Sequence, residues 1–398
     1  MTTSVNGFSQ GVSDELVRRR RLSYIDWARG IAVLLMIEAH ITDSWTRAEA
    51  RNTIGFRNAT VLGGFAAPLF LLLAGLGVVL AAGRVVERTG SRARAVESGC
   101  RRGVEILLLA FLFRLQAFVL SPGSHPIALL RVDILNVMGV AMAIASVVWM
   151  TARTAPGRVV VYSAVATAIG MLTPIVRSAP TIDLLPTWVQ WYLRPAGEHT
   201  TFTLFPWAGF VFGGAAVGEL IAAVRTEAAQ RRLHLGLAAG GIAFVVLGVW
   251  AAARPSIYHS ASFWTSSPAW FAIRVGILMM ALAALFELEQ ISHAKARNHC
   301  FRVFVFSWQR PLSRIGRSSL FIYWIHVELV YGYASWLWRG RMPLWGALLA
   351  YTGFCALMYM AVVMRDRAVA NWRRISPDRT SGTFAGSPPL GGPPWEAS

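Results

Sequence analysis

Charged side chains are scarce in this chain of 398 residues. Asp, Glu, Lys and Arg together make up 15% of it, whereas a soluble globular protein is usually nearer a quarter charged. Lysine is almost missing, because Lys295 is the only one, so the formal net charge of +18 comes from arginine. So little charge, with a mean hydropathy of +0.49, argues against a soluble domain and indicates a chain that lies mostly in lipid.

Cysteine is also scarce. The three cysteines show no CxxC spacing and lie in or beside segments that we assign to the membrane or its inner face: Cys100, Cys300 and Cys355. The sequence therefore indicates neither a disulfide framework nor a zinc site, and we expect no metal. We also expect no cleavable signal peptide, because the first apolar run carries four ionisable residues and lacks a small-residue cleavage site.

Long apolar runs, by contrast, are abundant. Most measure roughly 18–22 residues, the length that crosses about 30 Å of hydrocarbon as an α-helix. Lipid offers the backbone no hydrogen-bonding partners, so such runs form helices or closed barrels, and the lack of period-two alternation favours helices. The sequence predicts an all-α, polytopic membrane bundle with about ten spans: 25–40, 61–82, 103–120, 132–150, 159–176, 202–222, 233–252, 269–288, 318–337 and 344–364.

The arginines follow the alternation of inner and outer loops that ten spans produce. Most of the 38 basic residues fall on alternate loops, as the positive-inside rule requires, which places both chain ends in the cytoplasm. A chain this basic could bind nucleic acid, but topology already explains the charge, so we expect no nucleic-acid partner. The expected location is the cell inner (plasma) membrane, as a multi-pass protein.

One membrane domain accounts for most of the chain. Residues 1–21 are predicted to form a basic cytoplasmic tail and residues 22–375 the transmembrane domain. Residues 376–398 are rich in Pro, Gly and Ser, so we expect a disordered cytoplasmic tail.

Two further patterns concern packing and the outer surface. Small-residue repeats in the sixth run predict close helix packing: Gly209-x-x-x-Gly213 and Gly214-x-x-x-Gly218. Aromatic residues of the outer loops indicate either an interfacial belt or a platform for a sugar ring: Trp45, Trp188, Trp191, Tyr192, Tyr258 and Trp264.

The first predicted helix is the richest in polar groups that lipid should not tolerate. Placing a charged side chain at membrane depth costs a few kcal/mol or more of free energy, so such a residue usually indicates a functional site. Asp26 and Arg29 are three residues apart and can pair on one face. His40 follows Arg29 by close to three full turns, so it shares that face about 16 Å further along. One stripe therefore joins a cation near the cytoplasm to an imidazole near the outer surface, while Glu38 points elsewhere.

His40 admits a structural and a catalytic interpretation. A histidine in a helix is often a core residue satisfied by a backbone carbonyl. Here three other ionisable residues share the span, which favours function. An imidazole suits acyl transfer because it titrates near neutral pH, so it can deprotonate an alcohol or amine, or carry an acyl group itself.

Other predicted spans also hold buried polar residues. Asp133 and Asn136 are three apart and can face the bundle together, as can Tyr323 and His326, with Glu328 further out. Each buried arginine could alone be half of an interhelical ion pair, with Glu38, Glu105 or Asp133 as partners. The full set is harder to explain by packing, and we predict a substrate-lining or donor-binding role for its members: Glu38, Arg114, Asp133, Asn136, Arg274, Tyr323, His326 and Glu328.

Four short motifs occur in an order that is known from one family. The first contains Arg21, Asp26 and Arg29 and ends, after an apolar run, in His40; the others cover residues 131–136, 205–209 and 316–326. Together they resemble the heparan-alpha-glucosaminide N-acetyltransferase catalytic-domain family over roughly residues 22–364. The spacing from Asp26 to His40 is also similar to the first helix of the acyltransferase-3 family, in which that histidine is the proposed catalytic residue.

The resemblance implies acyl transfer across the membrane. Cytoplasmic acetyl-CoA would be the acyl donor, used as a substrate, and an extracytoplasmic sugar or glycan amine or hydroxyl would be the acceptor. In the animal lysosomal members the catalytic histidine lies later, after helix one. Residues 41–57 contain no histidine here, so His40 takes that role, with Asp26, Arg29 and Arg114 binding or orienting the donor.

The leading hypothesis is therefore a transmembrane acyltransferase, an acetyl-CoA-dependent N- or O-acetyltransferase. Its expected partners are the lipid bilayer, acyl-CoA and a carbohydrate acceptor, and a homodimer is compatible with the sequence. The alternatives are a transporter or flippase for a lipid-linked or anionic solute, which would use the same buried charges as a path, and a catalytically inactive membrane scaffold.

Overall fold

A computed structural model describes residues 22–120, 125–294 and 299–375 of the chain. The two predicted tails, together with Arg21 and Lys295, lie outside these residues. Within them the secondary structure is helical. The α-helices, in chain order, are α1 (Ser23–Trp45), α2 (Ile54–Gly63), α3 (Ala66–Thr89), α4 (Arg92–Leu120), α5 (Ile134–Val148), α6 (Ala155–Ser178), α7 (Thr187–Leu193), α8 (Leu204–Ala223), α9 (Glu227–Ala252), α10 (Pro268–Ala294), α11 (His299–Arg317), α12 (Ser319–Tyr331) and α13 (Leu344–Ile375).

Length and apolar composition allow seven segments of the described chain to cross a membrane. They are α2 continued by α3, then α4, α6, α8, α9, α10 and α13. Helices α5 and α12 are apolar but shorter. The prediction of an all-helical membrane protein is thus confirmed, whereas the count of ten spans and the inward orientation of both ends stay predictions.

Two of the differences between the helices and the predicted runs concern the neighbours of α1. The run 61–82 is interrupted, because α2 ends at Gly63 and α3 begins at Ala66. A Cβ atom on Gly63 would lie only 2.5 Å from the Glu38 carboxylate, so this break brings the chain against α1. Helix α11 occupies a stretch in which no helix was predicted.

Helix α1 lies at the centre of the bundle, in contact with α2, α3, α10, α11, α12 and α13. Its close approach to α11 depends on glycine. A Cβ atom on Gly30 would lie 2.4 Å from the Leu312 carbonyl oxygen, and one on Gly316 would lie 2.1 Å from the Asp26 carbonyl oxygen. Small residues let backbones approach in this way and supply the packing that holds membrane helices together.

The predicted glycine seam joins α8 to α3. A Cβ atom on Gly214 would lie 1.8 Å from the Leu72 carbonyl oxygen, and one on Gly75 would lie 1.8 Å from that of Val211. Gly218 approaches Leu76 of α3, whereas a Cβ atom on Gly213 would meet nothing within 4 Å. Of the two adjacent glycines, Gly214 is therefore needed for the packing of α8 against α3 and Gly213 is not.

The motif at residues 205–209 has a structural role at the start of α8. Phe205 has a non-helical backbone conformation, which leaves its carbonyl oxygen outside the helical hydrogen-bond pattern. Arg177 at the end of α6 donates to that oxygen at 2.8 and 3.1 Å and to the Thr203 hydroxyl at 2.8 Å. Its guanidinium therefore joins the end of α6 to the start of α8.

Candidate active site

Two histidines from distant parts of the chain meet in the half of the bundle that is predicted to face outward. Nδ1 of His40 on α1 lies 2.8 Å from Nε2 of His326 on α12. The ring planes are within 4° of parallel and the centroids are 5.0 Å apart. Because nitrogens of the two rings approach to 2.8 Å, closer than two stacked rings can lie, the rings meet edge to edge in a hydrogen bond.

The hydrogen-bond partners fix where the protons of these rings lie. Nδ1 of His326 is 2.8 Å from the Ile322 carbonyl oxygen, which can only accept, so this nitrogen carries the proton. In the neutral ring Nε2 of His326 is then an acceptor, and His40 donates to it from Nδ1. Neutral His40 therefore keeps a lone pair on Nε2, the form of imidazole that acts as a base or nucleophile.

Burial differs between the two rings in a way that suits this arrangement. His326 is fully buried, so its side chain is placed to orient the His40 ring. His40 is half-buried. The edge of Tyr331 packs on the His40 ring with centroids 5.4 Å apart, and the Tyr331 hydroxyl donates to the Asp43 carboxylate at 3.1 Å.

A charged pair joins α4 to the start of α5 beside these histidines. Arg114 of α4 forms an ion pair with Asp133, one of the pairings that the sequence allows. Asp133 also caps α5, since its carboxylate accepts from the Ile134 amide at 2.8 Å while Asn136 accepts from the Asp133 amide at 3.0 Å. This reciprocal capping box explains the spacing of Asp133 and Asn136 by helix geometry.

Helix α7 contacts the start of α5. Nδ2 of Asn136 donates to the Tyr192 hydroxyl at 3.3 Å, and burial raises the pKa of that phenol, which keeps it neutral. Trp191, beside it, stacks on His199 with centroids 4.7 Å apart. Of the outer-loop aromatics, these two and Trp45, which is 4% exposed, pack against the protein itself.

Helix α12 presents the remaining polar side chains to the same region. Tyr323 packs on His326 with ring centroids 5.8 Å apart, as their shared face predicts, and its phenol lies beside the Asp133 carboxylate. The Trp324 indole donates to Gln116 of α4 at 2.5 Å, and Glu328 also interacts with Gln116. Helices α1, α4, α5 and α12 thus enclose one polar cluster around His40.

A second polar region lies at the opposite end of α1, which is predicted to face the cytoplasm. Asp26 and Arg29 form the predicted pair at 3.5 Å. Beside them is a cavity of about 810 Å³, here named the inner cavity, between the ends of α1, α11 and α13. Six of its lining residues are charged: Asp26, Arg310, Arg314, Arg317, Arg365 and Asp366.

The charges of the inner cavity are partly paired, and positive charge remains in excess. Asp366 accepts from Arg314 at 2.8 Å and from Arg365 at 2.7 Å. The bond to Asp366 raises the pKa of Arg314, so this arginine stays charged. With four arginines against two aspartates, the lining suits a polyanion, because guanidinium groups bind phosphate through charge-assisted hydrogen bonds.

The inner cavity and His40 are separated by packed helix faces. Ser318 lines the cavity, and His326 follows it by eight residues, about 12 Å along the helix axis. Between these levels Ile322, Val33 and Ile37 are at most 1% exposed. His40 is not among the residues that line the inner cavity, so the two regions are closed from each other in this conformation.

Two predicted lining residues lie away from the His40 cluster, at the break between α2 and α3. Glu38 accepts from Thr42 at 3.0 Å, and its other oxygen has no hydrogen-bond partner among the described residues. Arg274 donates to the Gly64 carbonyl oxygen and packs on the rings of Phe65 and Trp270 at 4.6 Å. Glu38 thus points away from His40, as expected, and Arg274 holds the break in place.

The structure brings together most, but not all, of the residues that the sequence singles out. His40, Arg114, Asp133, Asn136, Tyr323, His326 and Glu328 form the outer cluster, while Asp26 and Arg29 lie at the inner end. Arg114 is therefore in the outer cluster and not beside Asp26 and Arg29.

Sequence reasoning missed Asp43 and Tyr331 in the outer cluster. Asp43 follows His40 by three residues, a helical spacing that could have indicated it. Tyr331 ends the same helix as His326, but its spacing to His326 is not one that places two residues on one face.

Comparison with known proteins identifies the family. The model of the family described as heparan-alpha-glucosaminide N-acetyltransferase, catalytic, matches residues 21–258, more than half of the chain and the part that contains His40, Arg114 and Asp133. Helices α10 to α13, with His326, follow the matched residues. No curated protein matches the chain. The chain belongs to the heparan-alpha-glucosaminide N-acetyltransferase catalytic-domain family.

Proposed function

We propose that this protein transfers an acetyl or other acyl group from cytoplasmic acyl-CoA to a sugar or glycan amine or hydroxyl on the outer side of the plasma membrane. The observation that carries the proposal is the bond between Nδ1 of His40 and Nε2 of His326. It leaves the other nitrogen of a half-buried imidazole as a base or nucleophile. Membership of the family supports N-acetyl transfer in particular.

The inner cavity is the proposed site of the acyl-CoA nucleotide. Coenzyme A is a polyanion that cannot cross lipid, and the arginines of the cavity would hold its phosphates. A volume of about 810 Å³ lies in the range of small-molecule sites. Asp26 and Arg29 orient the donor at the level where the acyl arm leaves the cavity.

The acyl arm must then reach His40 between α1 and α12. Ser318 and His326 are about 12 Å apart along one helix, which gives the arm a direct course. Because the intervening faces are packed, these two helices must part locally when the donor binds. The buried apolar side chains along the course would exclude water from the thioester until the acceptor arrives.

Two chemical routes use His40. In the direct route Nε2 takes the proton of the acceptor amine or hydroxyl while the acceptor attacks the acyl carbon. The carbon–sulfur bond breaks, and the proton passes from His40 to the thiolate. In the covalent route Nε2 attacks the acyl carbon first, and the carbon–sulfur bond breaks so that the thiolate leaves. The acceptor then attacks the acyl-imidazole, the bond to Nε2 breaks, and the acceptor proton passes to the thiolate. His326 orients His40 in both routes and stabilises its charged form.

Radiolabelled acetyl-CoA tests the proposal on the purified protein and on the variant His40→Ala. Direct general-base catalysis contributes about 10²–10⁴-fold, so thioester consumption should fall by at least that much in the variant. Label retained on the wild-type protein supports the covalent route, and acceptor-dependent consumption without labelling supports the direct one. Unchanged consumption in His40→Ala removes His40 from the mechanism. Solute uptake into proteoliposomes without thioester consumption favours a transporter instead.

A further inference from the structure

The Asp43 carboxylate, in the outer cluster, forms no ion pair with an arginine among the described residues. The described residues include five aspartates, and four of them pair with arginine: Asp26 with Arg29, Asp133 with Arg114, Asp183 with Arg194, and Asp366 with Arg314 and Arg365. Asp43 instead accepts from the neutral phenol of Tyr331.

An arginine does lie close to Asp43 but bonds to the backbone. Arg51 donates to the backbone carbonyl oxygens of Asp43 and Thr46, and no described residue pairs with the Asp43 carboxylate as an ion. The Asp43 side chain is exposed. Its carboxylate therefore leaves a negative charge beside His40, at the end of the cluster away from the inner cavity.

The position of Asp43 relates that charge to His40. Three residues of helix separate the two, so they share a face of α1 and Asp43 lies about 4.5 Å further out. Tyr331 joins them, because its ring packs on His40 and its hydroxyl holds one oxygen of Asp43. The other oxygen has no partner among the described residues and is open to an incoming group.

We propose that Asp43 binds the acyl acceptor and selects a primary amine carried as an ammonium ion. The inference rests on the proposed function, because only an acyltransferase has an acyl acceptor. The site itself is defined by the Asp43 carboxylate and by Tyr331, which contacts both Asp43 and His40. A carboxylate whose hydrogen-bond partner is a neutral phenol can still form a charge-assisted hydrogen bond with a cation. A hydroxyl acceptor would receive one hydrogen bond there and no charge pairing.

The proton balance of an amine acceptor fits this placement. The bound ammonium first gives one proton to the outer water. The neutral amine then attacks the acyl carbon, and its second proton passes to Nε2 of His40 and on to the thiolate as the carbon–sulfur bond breaks. The products are an amide, free coenzyme A and one proton released outside.

Binding of glucosamine and glucose to the purified full chain, measured by NMR without donor, tests the proposal. Wild type should bind glucosamine about 10-fold or more tightly than glucose, since a charged hydrogen bond is worth more than a neutral one. Asp43→Asn should abolish that preference, and Tyr331→Phe should reduce it. The preference should also shrink in wild type above the pKa of the amine, which a purely structural role of Asp43 would not produce.

Asp183→Asn is the matched control, because Asp183 is also an exposed outer aspartate but is paired with Arg194; it should keep the wild-type preference. Absence of any preference in wild type, or its survival in Asp43→Asn, overturns the proposal. Acetyl-CoA consumption is measured separately. A protein that prefers the amine through Asp43 but consumes no thioester keeps this inference and loses the proposed function.

Discussion

At the scale of single residues, the proposed role of His40 depends on a neighbour, His326, that is fully buried. His326 accepts from Nδ1 of His40 and thereby assigns its tautomer. We expect His326→Ala to lower kcat by about 10²-fold or more, since a wrongly protonated imidazole loses its action as a base. The KM for acetyl-CoA should change little, because the inner cavity lies elsewhere. Steady-state kinetics of the purified variant provide the measurement.

His234 offers a matched control for that loss. It too is buried and has Nδ1 2.7 Å from the carbonyl oxygen four residues before it, that of Gln230. His234→Ala removes an imidazole with the same local geometry from a part of the bundle distant from His40, so it reports the general cost of such a deletion. Equal losses of kcat in the two variants would mean that His326 acts only through stability.

Sequence alone predicts which residues matter better than it predicts which of them meet. Helical spacing correctly puts Asp26 with Arg29 and Tyr323 with His326, because both pairs lie within one helix. The bond between His40 and His326 joins residues 286 apart, and no periodic pattern encodes such a contact. Arg114 and Asp133 were one of several allowed pairs, and packing selects among them.

At the scale of elements, two adjacent glycines of α8 make an internally controlled experiment. Gly214→Ala places a Cβ atom 1.8 Å from the Leu72 carbonyl oxygen, so α3 and α8 must move apart. Overpacking of this kind costs about 1–3 kcal/mol. We expect a lower melting temperature for the variant in detergent, measured by thermal unfolding.

Gly213→Ala introduces the same methyl group one residue earlier, where nothing lies within 4 Å. Alanine is the better helix former by about 0.5–1 kcal/mol, so this variant should be as stable as wild type or slightly more so. If both variants melt alike, the close contact between α3 and α8 is not what stabilises this part of the bundle.

The helices themselves were largely predictable, and the exceptions have physical causes. A span of about 20 apolar residues has few alternatives in lipid, which is why the long helices coincide with the predicted runs. Helix α11 was not predicted, because it mixes arginines with aromatic and aliphatic residues. A search for continuous apolar runs does not detect such amphipathic patterns. The break between α2 and α3 was not predicted, because hydropathy does not register a short interruption of the helix within an apolar run.

At the scale of the whole molecule, the proposed reaction requires the two polar regions to face opposite sides of the membrane. The inner cavity and the outer cluster lie at different levels of α1 and α12, and packed side chains separate them. The arginine distribution predicts that the cavity opens to the cytoplasm, where acyl-CoA is made available. Sidedness is therefore the property that distinguishes a transmembrane acyltransferase from one that works on a single face.

Single cysteines in a background without the three native ones test that sidedness. Leu184 is 85% exposed in the connection between α6 and α7, and Thr151 is exposed in the connection between α5 and α6. A membrane-impermeant maleimide added to intact cells should label Leu184→Cys at once and label Thr151→Cys only after permeabilisation. The reason is that one helix, α6, separates the two sites and the arginine-rich loop stays inside. Labelling in the reverse order would place the inner cavity outside, where it could not take cytoplasmic acyl-CoA, and His40 would then face the cytoplasm.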